Sequence, residues 1–236
     1  LLGYANFESP TIQIGQTDST PNDPPYEWAN VDNETTTWLN SSASAGKQWV
    51  VVIDEQRSGV RKDSSDPTGH QYERRDVLWG NLMAGGAGMD WYFGPYSETH
   101  NDVDLEDFST RDEMFDQTRH ALGFFNEWLP FWEMSNNNGL ASGGSYTYAF
   151  AKTGEVYAVY LGSGGTASLN ITSGTYTVRW FDPRNGGSLQ NGSVTSISGS
   201  GSKALGNPPS SSSSDWVVLV TNDATYSQPD NSGSGG

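Results

Sequence analysis

Residues 47–56, KQWVVVIDEQ, carry five consecutive apolar residues at 49–53 and then two adjacent carboxylates, Asp54 and Glu55. A run this apolar, with three valines, predicts a strand buried on both faces. A second short apolar run follows at 87–94, AGMDWYFG, again ending in an acid and aromatics. Between the two, residues 74–84 place Val77, Leu78, Leu82 and Met83 on one helical face, with Gly85 and Gly86 as a stop. Strand, carboxylate at its C-terminal end, helix and further strand is the order in which a (β/α) barrel presents functional groups.

Working outward, TIQIGQ at 11–16 alternates like a strand, 21–30 is a turn-rich loop, and 33–45 predicts a helix capped by Asp32 or Asn33. The 97–107 segment is a long acidic loop. Residues 110–128 predict an amphipathic helix, capped by Thr110 with Glu113 three residues on. Its expected buried stripe is Met114, Phe115, Thr118, Ala121, Leu122 and Phe125. A complete eight-fold barrel takes roughly 250 residues. Residues 1–134 offer only two to three βα units, so either more chain precedes Leu1 or this is not a barrel.

At 135–144, SNNNGLASGG, composition shifts to that of a linker. Everything beyond reads as short strands between Gly-rich turns: 145–151, 155–161, 167–171, 175–182 and 215–221, with a weaker hairpin at 188–197 around Asn191 and Gly192. Residues 145–224 thus predict an antiparallel β-sandwich, and 225–236 a flexible Ser/Gly tail. The expected fold class is α/β plus all-β: the C-terminal portion of a (β/α)8 barrel followed by a sandwich.

Composition narrows the partners. Twelve basic against 28 acidic residues give a net charge of −16. Such a field repels nucleic acid and anionic membrane. There is no apolar run of the ~20 residues a membrane span needs. The absence of cysteine removes disulfides, thiolate metal sites and cysteine nucleophiles together. Few lysines, many Ser, Thr, Asn and Gly, and 12% aromatics favour an extracellular protein that handles polysaccharide. Asn33, Asn40, Asn170 and Asn191 each open an N-x-S/T triplet, a possible glycosylation acceptor if the chain is exported.

QWVVVIDEQ, RRDVLWGNLMAGGAGMDWYFG and the helix ending FFNEWLPFWEM resemble the last quarter of the barrel in bacterial apiosidase-like glycoside hydrolases, retaining enzymes with paired glutamates. Residues 148–220 resemble the sandwich that follows in those proteins, often called a collagen-binding domain. The most specific match is 176–187, YTVRWFDPRNGG. The resemblance implies Glu55 as the nucleophile, with Asp54 as the alternative. It implies Trp91 as a platform on which a sugar stacks, and Asp90, Tyr92 and Arg57 as contacts to sugar hydroxyls. Retention needs two carboxyls about 5 Å apart, and adjacent strand residues point to opposite sides. In the family the acid/base ends the fourth strand, so the resemblance places it on an upstream segment, in cis or on a separate chain.

Other constellations are thinner. Asn101–Asp107 offers oxygen ligands for Ca²⁺ at Asp102, Asp104 and Asp107, without the glycine and terminal glutamate of a helix–loop–helix calcium site. His70, His100 and His120 lack zinc spacing, so no metal ligand set and no other cofactor is assigned. In WFDPR, Asp182 and Arg184 are expected to order the turn. The competing reading is a non-catalytic extracellular adhesion, matrix or filament protein, capable of self-assembly. No residue points to collagen itself.

Overall fold

The computed structural model describes residues 2–4, 6–14, 31–56, 60–92 and 107–229, with only the backbone of residues 13–14 and 55–56. The expected loop at 21–30, most of the acidic loop at 97–107, Arg57, Phe93, Asp102, Asp104 and residues 230–236 lie outside these. The chain divides into two compact units, Leu1–Phe115 and Asp116–Gly236.

In the first unit, β1 (Thr11–Ile14), β2 (Val52–Gln56) and β3 (Gly88–Asp90) form a parallel sheet in the order β1-β2-β3. Parallel neighbours need long crossovers. These are α1 (Val31–Ser44) and a helix that opens as a π-helical stretch, Glu73–Trp79, and continues as α2 (Gly80–Ala84). Gly85, at φ 90°, ends it in the left-handed conformation, as its sequence position predicts.

One face of the sheet is packed. Val31 and Leu39 of α1 and Val77 of the second helix cover Val51 and Ile53, both fully buried, with Trp49 beside them. The other face is open among the described residues: Val50 is 51% exposed, Val52 and Asp54 are half-buried, and Asp90 is exposed. Among the described residues the run 49–53 is thus buried on one face rather than two, because the described helices cover only that face. A buried amide fastens the layers. Asn81 donates from Nδ2 to the Gly88 carbonyl at 2.7 Å and accepts from the Thr35 hydroxyl at 3.1 Å.

α3 (Asp112–Trp128) contains the division between units. It is preceded by a 3₁₀ turn, Phe108–Arg111, capped by Asp107, which accepts from the Ser109 N–H, rather than by Thr110. Its buried positions are Met114, Gln117, Ala121, Phe124 and Phe125, while the expected stripe member Leu122 is 44% exposed. The true stripe steps 114, 117, 121, 124, and Leu122 stands one residue, about 100°, off it.

The second unit is one antiparallel sheet of seven strands. They are β4 (Ser135–Asn136), β5 (Ala141–Ser142), β6 (Thr147–Lys152), β7 (Val156–Leu161), β8 (Ser168–Phe181), β9 (Ser196–Ala204) and β10 (Trp216–Asn222). The order is β4-β6-β7-β10-β8-β5, with β9 also on β8. Residues 135–144 are therefore not a free linker: β4 pairs β6 and β5 pairs β8. The two strands expected at 167–171 and 175–182 are one 14-residue strand, whose register on β9 shifts between Ile171 and Gly174. A bulge of this kind bends a strand without ending it.

β7 and β10 are buried almost throughout. Tyr157, Val159, Leu161, Trp216, Val218 and Val220 join Val178 and Trp180 of β8 in one core. On the opposite face, Phe124 of α3 lies 4.9 Å from Phe181, and Phe125 lies 6.0 Å from Phe150. Two covered faces explain why VYAVYL and WVVLV lack polar alternation. The tail is anchored at its start, where the Tyr226 hydroxyl donates to the Trp128 carbonyl at 2.8 Å. Burial and nearby glutamates raise the Tyr226 pKa to about 12, so it remains a donor.

Candidate functional site

The C-terminal ends of β2 and β3 bring two of the expected residues together. Asp54 and Asp90 are register partners on adjacent parallel strands, so they share the open face. Glu55 follows Asp54 within β2, and its side chain lies outside the described atoms. Past β3, the Tyr92 carbonyl accepts from the Val60 N–H at 2.8 Å, which ties the segment leaving β2 to the exit of β3. Buried Arg111 donates from Nε to the Val60 carbonyl at 3.0 Å. Tyr92 itself is half-buried. Trp91 is also half-buried and packs against the Val31, Ile53 and Val77 cluster, so at least part of its ring serves the core. Of the acidic calcium candidates only Asp107 is described. It is exposed and its side chain caps a turn. Asn33, Asn40, Asn170 and Asn191 are all exposed.

The segment between β2 and the second helix holds a cluster that the sequence reading passed over. His70 is fully buried at φ 54°. Its Nε2 lies 2.8 Å from Asp63 Oδ1 and its Nδ1 lies 3.2 Å from Asp66 Oδ2. Asp66 Oδ1 accepts from both the N–H and the hydroxyl of Thr68, each at 2.7 Å. Burial opposes ionisation of Asp66, yet the hydrogen bonds from His70 and Thr68 outweigh it and hold its carboxyl well below the ordinary range. Burial likewise works against a charged His70, but bonding to Asp66 and Asp63 wins and its pKa is raised. Glu73 is 6% exposed, and desolvation pushes its carboxyl up. The signal was present as carboxylates at 63, 66 and 73 around His70. Histidine spacing alone does not show it, because only one histidine takes part.

In the second unit, WFDPR forms a closed turn. Asp182 Oδ1 accepts from the Arg184 N–H at 2.9 Å and Nε at 2.8 Å, and from the Asn185 N–H at 3.3 Å. Oδ2 accepts from Arg184 Nη2 at 2.9 Å and Asn185 Nδ2 at 3.0 Å. The guanidinium lies 5.2 Å from the Trp216 ring centre, with Asp215 3.8 Å away. Although burial resists it, these donors hold the Asp182 carboxyl below its ordinary range. Both oxygens of the Asp182 carboxylate are engaged within the turn, which is the ordering role expected for Asp182 and Arg184.

With this geometry in place, comparison with known proteins gives three results. A family model described as "Putative collagen-binding domain of a collagenase" matches residues 138–221. No curated protein matches the chain. Among solved structures, a glycoside hydrolase family 5 protein from Bacteroides vulgatus ATCC 8482 aligns with TM-score 0.62 and 18% identity, over 95% of this chain and 51% of its own. A second structure, named glycoside hydrolase, aligns with TM-score 0.60 and 17% identity, over 93% and 52%. The likeness is one of fold. The chain spans about half the length of both structures.

Proposed function

We propose that the chain is the carboxylate-bearing part of an extracellular, retaining glycoside hydrolase acting on a polysaccharide. In this reading Glu55 is the nucleophile, and the acid/base comes from an upstream barrel segment. The observation that supports it is the carboxylate-bearing end of β2, where Asp54 and its register partner Asp90 share a sheet face left open by the described residues and Glu55 is the next residue along the strand. A retaining reaction needs a second carboxyl about 5–5.5 Å from the nucleophile. Asp90 then contacts sugar hydroxyls, and Asp54 is the alternative nucleophile. The fold shared with glycoside hydrolase structures over about half their length supports the same assignment.

The test is turnover of plant and algal polysaccharides by the natural-length protein and by its Glu55→Gln variant. The expected result is loss of hydrolysis with an unchanged circular dichroism spectrum. Wild-type rates in the variant refute the role of Glu55.

The packing of Trp91 against core residues favours a second reading, because it withdraws part of the expected sugar platform. There the chain serves adhesion or matrix assembly without catalysis, and the natural-length protein binds glycans but hydrolyses none.

A further inference from the structure

The buried cluster around His70 is an unusual arrangement for groups with no further task. Three carboxylates, Asp63, Asp66 and Glu73, converge on one imidazole. Asp66, His70 and Glu73 can each offer one ligand atom such that all three atoms lie within 4.8 Å of one another. Glu73 Oε2 is buried there without a hydrogen-bond partner among the described residues, and His70 Nδ1 faces Asp66 Oδ2 at 3.2 Å. Glu73 and His70 are more than nine-tenths buried, at 6% and 0% exposure. A buried carboxylate oxygen left unpaired costs roughly 1–3 kcal/mol or more, so a sequence that retains it there needs a reason.

The other ring nitrogen supplies one. Nε2 sits at hydrogen-bond distance from Asp63, at 2.8 Å. A histidine whose one N–H donates to a carboxylate has its ring oriented, and its second nitrogen becomes a metal ligand when the ion displaces the proton there. Nδ1 and Asp66 Oδ2 are already 3.2 Å apart. A tetrahedral ion with bonds of ~2.1 Å separates its ligands by about 3.4 Å. Thr68 bonds Asp66 Oδ1 twice, while Oδ2 accepts from the His70 backbone N–H at 3.2 Å and faces the imidazole.

We propose that Asp66, His70 and Glu73 bind a divalent first-row transition ion, with Zn²⁺ the best fit to one imidazole nitrogen and two carboxylate oxygens. Asp63 is a positioning residue that fixes the imidazole. Calcium fits poorly, because it takes six to eight oxygen ligands. The ion offsets the excess of negative charge in the cluster. It also clamps the segment that leaves β2 onto the start of the following helix. The proposal stands apart from the hydrolase reading, and none of its readouts is activity.

The test is titration of the full chain, freed of metal by chelator, with Zn²⁺ alone by calorimetry and thermal melting. Wild-type protein is expected to bind one equivalent with a raised melting temperature. In Glu73→Gln, which keeps the side-chain shape, binding is weakened and the thermal shift is lost. Asp63→Asn weakens binding by about 10–100-fold, the range for outer partners of a ligand. Asp107→Asn, on the exposed acidic segment, binds as wild type. Zinc-edge X-ray absorption of wild-type protein supplies a measurement that does not depend on variant folding: one imidazole nitrogen with oxygens at about 2.0–2.2 Å. The proposal is overturned if folded wild-type protein takes up no Zn²⁺, if Glu73→Gln binds undiminished, or if the absorption shell holds only oxygen or two imidazoles.

Discussion

Replacing Asp182 with alanine removes the acceptor of five hydrogen bonds, three from Arg184 and two from Asn185, at a residue only 9% exposed. Hydrogen bonds to charged groups contribute about 1.5–3 kcal/mol and neutral ones about 1. The losses are not additive, and Arg184 retains Asp215 at 3.8 Å and the Trp216 ring. The expected cost is about 2–4 kcal/mol. For a unit of this size that lowers its melting temperature by roughly 8–16 °C. Asp182→Asn, which keeps oxygen but loses charge, falls by about half as much. The pH dependence follows from the depressed carboxyl. Its contribution is complete above the unfolded value of about 4 and is lost as pH falls through the lower folded value. Wild type therefore loses this stabilisation in acid, whereas Asp182→Ala has none to lose. Unfolding followed by tryptophan fluorescence, with Trp216 beside the turn, reads all of these. A shift below 2 °C in Asp182→Ala refutes the claim that the turn is held by this carboxylate.

Two further substitutions probe packing. A Cβ at Gly86 falls 1.9 Å from Asn81 Oδ1, so Gly86→Ala displaces the amide joining α2 to α1 and β3. A loss of about 2 kcal/mol or more is expected by urea unfolding. Leu122→Glu, on the exposed side of α3, should change stability by less than about 0.5 kcal/mol, whereas a buried Leu122 would make the same change severe.

The first unit was legible where one side-chain pattern had one cause. The apolar run at 49–53, the valine and leucine positions of the second helix and Gly85 yielded β2, the crossover and its end. What the run did not reveal is that the described helices cover only one of its faces, because that depends on which elements lie across the sheet. Leu122 misled because a helical stripe is wide enough to admit two phases, and the choice rests on Phe124 meeting Phe181. β9, SISGSGSKA, was illegible: serine and glycine have low strand propensity, and its pairing comes from the long edge of β8. The bulge in β8 looked like a turn for the same local reason. Asp182 and Arg184 were readable because they bond within a few residues. The His70 cluster was not, since it depends on burial and on the unpaired Glu73 Oε2, neither of which a sequence shows.

Covalent trapping addresses the central claim most directly. A retaining glycosidase passes through a glycosyl-enzyme ester on its nucleophile, and 2-deoxy-2-fluoro glycosides with a good leaving group arrest that ester. The natural-length protein treated with a panel of such glycosides, then digested and mapped by mass spectrometry, is predicted to carry one sugar on Glu55. A sugar on Asp54, on any other carboxylate, or on none while hydrolysis proceeds would contradict the assignment.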